Sequence, residues 1–413
     1  MLLPVDEAEI RRDVAIKLEA EIRTNPMWAD FRLNAAQVAI ILSVPLFTLQ
    51  PGGCLSPRDP AGRRVNGWNL HARLIQIGDL VKHFLTSRQG NEPSDNGLPE
   101  ASSTSRNPST PRKKSKQPST PGKKSNKSSS LSGINSRKDS NKRDHLDAES
   151  APARRNRDER KKCYDRDQET CVVMGTSEPH VCHIIPFCWN NSQRNIGKTA
   201  EVFAHSDAFF GVDWTKEYQM YLQNPQDPGG SDKAWNMICL DMQMHNWWAQ
   251  ARFGFKCLGV RPTTKDESVI TLQFNWMPRS AMNPTDQITL QGQDNGFDGM
   301  VEGVKAFHQQ GRSIPSPQEF GKTAARSSGA PILSGDLIDI KMLSSEAPLF
   351  KAMIDFQWAM IVVAALSGAP EPPKLPLNDD DFDPYFRTMK WVEEQSRQAT
   401  PRDIQVSGSA PPP

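Results

Sequence analysis

Histidine is scarce in this chain, 8 among 413 residues. Two of the eight nevertheless stand close together, with a cysteine between them, in the apolar run Pro179-His-Val-Cys-His-Ile-Ile-Pro-Phe187. Imidazole has an unperturbed pKa near ~6.5, so at neutral pH it can take a proton from water or ligate a metal. Hydrolysis of a phosphodiester needs both tasks, an activated water and a cation facing the developing charge. Read alone, the run is equally an ordinary buried strand. The chemical reading gains weight further along, where Asp232-Lys-Ala-Trp-Asn-Met-Ile-Cys-Leu240 leads into Asp241-Met-Gln-Met-His-Asn-Trp-Trp248 and adds Asn236 and His245.

In their order and spacing, Cys182-His-Ile-Ile-Pro-Phe187, Asn236-Met-Ile-Cys-Leu240 and His245-Asn-Trp-Trp248 resemble the HNH endonuclease family. The closest pattern is that of its divergent members common in fungi: an A-H-I-I-P-F-like strand, then N-x-x-x-L, then a helical H-x-x-[FW]. The resemblance runs from about Cys171 to Val260. It implies a ββα-metal fold that hydrolyses nucleic-acid phosphodiesters with a divalent ion: magnesium, manganese, zinc or nickel. Carried over residue by residue, His183 would be the general base, Asn236 would tie the loop to the strand and orient His183, and His245 would ligate the metal. Cys182 stands where relatives often place a metal-binding carboxylate or histidine, and a thiolate suits zinc better than magnesium. Ala249 replaces the Asp of an H-x-x-F-D pattern, and Met174 the Thr of a C-x-x-T-G opening. His180, Cys182, Asp241 or water would then complete the metal shell. These departures support a second reading, a catalytically degenerate HNH fold retained as a nucleic-acid or protein interaction module.

The elements that must position these residues follow from periodicity. Cys171-Val-Val-Met-Gly175 reads as a short strand ending at a glycine turn, with Val181–Ile185 as its return strand. His183, Asn236 and His245 are then presented by a strand, a loop and a helix. His180 and His205 read as surface or turn residues, and Trp235, Trp247 and Trp248 as packing for the site helix rather than base-stacking platforms. Ile270, Leu272, Phe274 and Trp276 alternate with polar residues, the pattern of a half-buried strand. Leu343–Leu366, with Phe350, Ile354, Trp358 and Ile361 on one face, predicts a long helix broken by Pro348.

The expected architecture is α+β, an HNH-like centre (161–262) between other parts. Residues 1–92 read as helical and of unassigned role: Asp6 with Glu9 makes a capping box, and Ile10, Val14, Leu18 and Ile22 recur until Pro26. Leu70, Leu74, Ile77, Val81, Phe84 and Leu85 mark a second amphipathic helix. Residues 93–160 form a Ser/Pro/Lys segment with little to build a core; over 101–165, 18 Lys and Arg face 7 Asp and Glu. Pro108-Ser-Thr-Pro-Arg-Lys-Lys-Ser115 returns as Pro118-Ser-Thr-Pro-Gly-Lys-Lys-Ser125 and resembles the basic S/T-P-x-K units of chromatin-protein tails. Residues 263–367 read as a strand and helix extension, and 368–413 as a disordered Pro-rich acidic tail. Seven cysteines without disulfide spacing suggest an intracellular setting, and the basic clusters a nuclear one. Ala35–Leu49 is too short to span a bilayer, so no membrane is expected. The partner expected is nucleic acid, DNA ahead of RNA. No P-loop, dinucleotide fingerprint or nucleophile elbow is present.

Overall fold

The structure, a computed structural model, describes residues 4–88, 152–278, 280, 282–309 and 325–368. The Thr-Pro repeats, most of the basic segment and the Pro-rich tail fall outside the described residues. The chain opens with α1 (Ala8–Arg23), α2 (Ala35–Ser43), α3 (Leu46–Leu49) and α4 (Gly67–Arg88). Leu18 and Ile22 of α1 and Leu70, Leu74, Ile77, Val81 and Phe84 of α4 are buried at the spacing the sequence shows. The Asp6–Glu9 capping box does not form. A tighter helical turn over Val5–Glu7 shifts the start of α1, and Glu7 pairs with Arg11 at 2.6 Å instead of capping. The reciprocal cap appears on α2, between Asn34 and Gln37.

Next come α5 (Arg157–Arg166), β1 (His180–His183), α6 (Gln193–Phe203), α7 (Asp207–Phe210) and α8 (Val212–Leu222). The chain continues through β2 (Met237–Leu240), α9 (Met242–Ala249), β3 (Phe253–Pro262), β4 (Glu267–Trp276), α10 (Gly296–Gln309), β5 (Leu337–Leu343) and α11 (Ala347–Leu366). α5 takes in residues that composition alone assigns to the basic segment. Asn156 caps it, accepting the N–H groups of Asp158 and Glu159. The fold is α+β, with two small antiparallel sheets, β1-β2 and β3-β4-β5.

Two expectations about the elements are corrected. The partner of β1 is β2, in the register His180↔Leu240 to His183↔Met237, and not the Cys171 segment. Residues 170–177 instead close on themselves: Cys171 N–H donates to Thr176 O and Gly175 N–H to Cys171 O, and Gly175 adopts φ +69°. The segment's bond to the sheet goes to β2, Val172 N–H donating to Cys239 O (3.0 Å), and not to β1. Pro348 does not break a helix either. It occupies the first turn of α11, where its missing N–H has no intrahelical partner to lose, and Leu343 ends β5.

The main core draws on every one of these elements but α5, whose buried Cys163 packs in a smaller cluster with Ala234, Met237 and Cys239. Phe253 and Phe255 of β3 and Phe274 and Trp276 of β4 are fully or nearly fully buried, alongside Phe350, Phe356 and Ile361 of α11. α11 is long and apolar enough to cross a membrane by length and composition, but 72% of its apolar window is buried in the fold, as in a core helix. The N-terminal helices share this core. Ile288 N–H donates to Leu33 O (2.8 Å), Ala35 N–H to Asp286 O (2.9 Å), and buried Thr48 Oγ1 to Ala208 O (2.6 Å). Gln357, 0% exposed, fixes α9: its Oε1 accepts from Trp248 Nε1 (2.8 Å) while its Nε2 donates to Phe255 O (2.7 Å).

Candidate functional site

Asn236 holds the end of β1 to the loop that precedes β2. Ile184 N–H donates to Asn236 O (2.8 Å) and Ile185 N–H to Asn236 Oδ1 (2.9 Å). Asn236 Nδ2 donates in turn to Ile185 O (3.0 Å) and Ser231 O (3.1 Å). The side chain is 0% exposed, so each of these bonds replaces water that cannot reach it. Asn236 thus bonds both to the end of β1 and to the loop at Ser231.

The side chain found against His183 is Asp232. His183 Nε2 lies 2.8 Å from Asp232 Oδ1, and both side chains are almost sealed, at 7% and 3% exposure. A carboxylate only accepts, so neutral His183 carries its proton on Nε2 and leaves Nδ1 as the acceptor. The other oxygen, Asp232 Oδ2, accepts the backbone N–H of Asn156, the residue that caps α5. Phe187 stacks on the His183 ring at 5.6 Å, and the Arg155 guanidinium lies 5.7 Å from the centre of the Phe187 ring. Nothing in the linear sequence marks Asp232 as the partner of His183. A loop residue has no periodicity, and its pairing with His183 depends on a contact across 49 residues.

His245 meets His180. Their ring centroids are 6.0 Å apart at 73°, with His180 at the start of β1 and His245 on α9. An imidazole centroid lies roughly 3.2 Å from a metal held at about 2.1 Å. At a tetrahedral angle two such rings on one ion stand about 5.2 Å apart, so this pair would have to close slightly to share an ion. His180 is no plain turn residue, and its alternation with Cys182 on one face of β1 is what brings it toward α9. Cys182 lies in the main core, 2% exposed, its Sγ 3.4 Å from His180 O. Asp241 caps α9, accepting Gln243 N–H at 2.8 Å. Trp247, Trp248 and Ala249 are buried, so position 249 faces the core. His205 also departs from the surface reading, bonding to Arg73 in a half-buried network with Asp207.

The other face of the β1-β2 pair carries Val181, Met237 and Cys239 against α5. There Cys163, Asp167 and Cys239 place ligand atoms within 4.8 Å of one another. This trio is a poor metal site, because the Arg166 guanidinium is already among the ligands. Its Nη2 is 3.4 Å from Cys163 Sγ and 3.0 Å from Asp167 Oδ2. Burial works against the Arg166 charge, yet Cys163 and Asp167 beside it push its pKa up on balance. A second cation would meet that charge at close range.

Residues 171–256, a span that takes in β1, β2, α9 and the start of β3, match a family model described as HNH endonuclease. No curated protein and no solved structure matches the chain.

Proposed function

We propose, from the premise that residues 171–256 are a domain of the HNH endonuclease family, that this protein is a metal-dependent nuclease. In this reading β1, β2 and α9 are its ββα-metal unit, and it cleaves nucleic-acid phosphodiester bonds, DNA ahead of RNA. The observation that carries the reading is the bond between His183 and Asp232 in the segment where the motif places the base. Asp232 holds the His183 ring in place, and that ring is the base that takes a proton from the attacking water. Asn236 keeps β1 and its loop from separating, which holds His183 in register. His245 and His180 would hold the divalent ion, with Cys182 beside His180 as the further candidate ligand. Such an ion supplies charge stabilisation at the phosphate and the leaving oxygen. The basic segment would add backbone contacts in a nuclear setting.

The test is cleavage of plasmid DNA and of RNA by the full chain with magnesium, manganese, zinc or nickel. His183→Ala is expected to lower the rate about 10²-fold or more. No cleavage with any ion, or full activity in His183→Ala, rejects the proposal. The burial of Cys182 and Ala249 favours a second reading, binding without cleavage. Nucleic-acid affinity that persists in a protein inactive with every ion would select it.

A further inference from the structure

Two thiols that the proposed chemistry does not use lie in contact between α5 and β2. Cys163 Sγ and Cys239 Sγ are 3.9 Å apart, and both residues are 0% exposed. A disulfide needs about 2.05 Å, so the sulfurs must close by roughly 2 Å. The surroundings of the two sulfurs differ. Arg166 Nη2 lies 3.4 Å from Cys163 Sγ, so a fixed guanidinium stands beside that sulfur. Cys239 has the Cys163 sulfur as its hydrogen-bond partner, and that bond, together with burial, pushes its pKa up, so it keeps its proton. A sulfur beside a fixed cation, touching a second thiol that keeps its proton, is arranged as an attacking and a resolving cysteine.

Arg166 itself is locked. It donates to Ala234 O (2.9 Å), Met237 O (2.8 Å) and Asp167 Oδ1 (2.7 Å). Arg166 and Asp167 also line a cavity of about 320 Å³ with Thr170, Cys171 and Arg326. Asp167 Oδ2 is 3.7 Å from Cys163 Sγ, so the cavity reaches within one side chain of the pair. It can admit a water-sized oxidant.

We propose that Cys163 and Cys239 form a peroxide-sensitive dithiol that oxidises to a disulfide joining α5 to β2. The Cys163 sulfur attacks one oxygen of hydrogen peroxide. An S–O bond forms, the O–O bond breaks, and the departing hydroxide takes the proton released by the Cys163 thiol. The Cys239 sulfur then attacks the sulfenic acid; the S–S bond forms, the S–O bond breaks, and the leaving oxygen departs as water with the Cys239 proton. The two thiols lose two electrons and two protons while one peroxide becomes two waters. The site is independent of the nuclease reading. It lies on the face of β1-β2 turned toward α5, and its chemistry needs no metal.

The test is peptide mapping of the full chain after a hydrogen peroxide series, with free thiols alkylated before digestion. A Cys163–Cys239 cross-linked peptide, lighter by two hydrogens and reversed by dithiothreitol, is expected before cross-links involving Cys54, Cys171, Cys182, Cys188 or Cys257. In Cys239→Ser, Cys163 should stop at a sulfenic acid that dimedone traps. Recovery of both cysteines in alkylated form after the other thiols have oxidised would overturn the proposal. One equivalent of zinc in the purified wild-type protein that is lost in Cys163→Ser would overturn it too, by making the pair a metal site. The wild-type map decides the matter even if a variant fails to fold.

Discussion

Asp232 divides its carboxylate between two partners, His183 on Oδ1 and the N–H of Asn156 on Oδ2. Asparagine at this position keeps the shape but presents one N–H₂ face, which opposes a donor on one side or the other. Asp232→Asn is expected to lower kcat about 10²-fold with little change in KM, since the base and not the substrate contact is misplaced. Nitrogen NMR should show the His183 proton moving off Nε2; wild-type kinetics together with an unchanged tautomer would remove Asp232 from this role. His205 gives a separate prediction about stability. Burial first, and then Arg73, lower its pKa from the usual histidine value. The folded protein therefore favours the neutral ring, while the unfolded chain takes up its proton near ~6.5. Stability should be level above that pH and fall as the pH drops through the window down to the folded pKa. The urea midpoint measured across this window should slope less in His205→Gln than in wild type. Equal slopes would place the dependence elsewhere.

Elements with strong periodicity were legible in the sequence. The alternation Ile270, Leu272, Phe274, Trp276 became β4, and the spacing from Leu70 to Phe84 became the buried face of α4, because one-sided burial writes a period into the chain. The short elements around the site were not legible in the same way. β1 has four residues, too few to reveal a partner, and β2 lies beyond the whole insertion formed by α6, α7 and α8. The placement of α9 likewise rests on Gln357, a polar residue within an apolar helix. Gln357→Leu would leave the Trp248 Nε1–H and Phe255 O without their partner in a sealed core. It should cost about 1–3 kcal/mol in urea unfolding for each group left unsatisfied. A variant as stable as wild type would show that α9 is held by packing alone.

At the scale of the whole molecule, the N-terminal helices belong to the core of the described fold and not to a separate module. Leu33 and Ala35 hydrogen-bond to the chain near residue 287, Thr48 to Ala208, and Arg12 to Asp298. A fragment beginning at residue 152 would expose the apolar residues that face α2 and α4. It should lack a cooperative thermal transition, and calorimetry showing a wild-type midpoint would make the N-terminal region dispensable. The sequence by itself determined the ordered His183, Asn236, His245 set and the helical character of the described N-terminal residues, 4–88. It also determined the α+β class, because motif spacing and hydrophobic period are properties of the linear chain. Only the tertiary structure decided that Asp232 holds His183, that His180 meets His245, and that Arg166 reaches both Cys163 and Asp167 beside Cys239. Those contacts join residues far apart in the chain through bonds that leave no periodic trace, so the folded packing alone selects among the candidate partners.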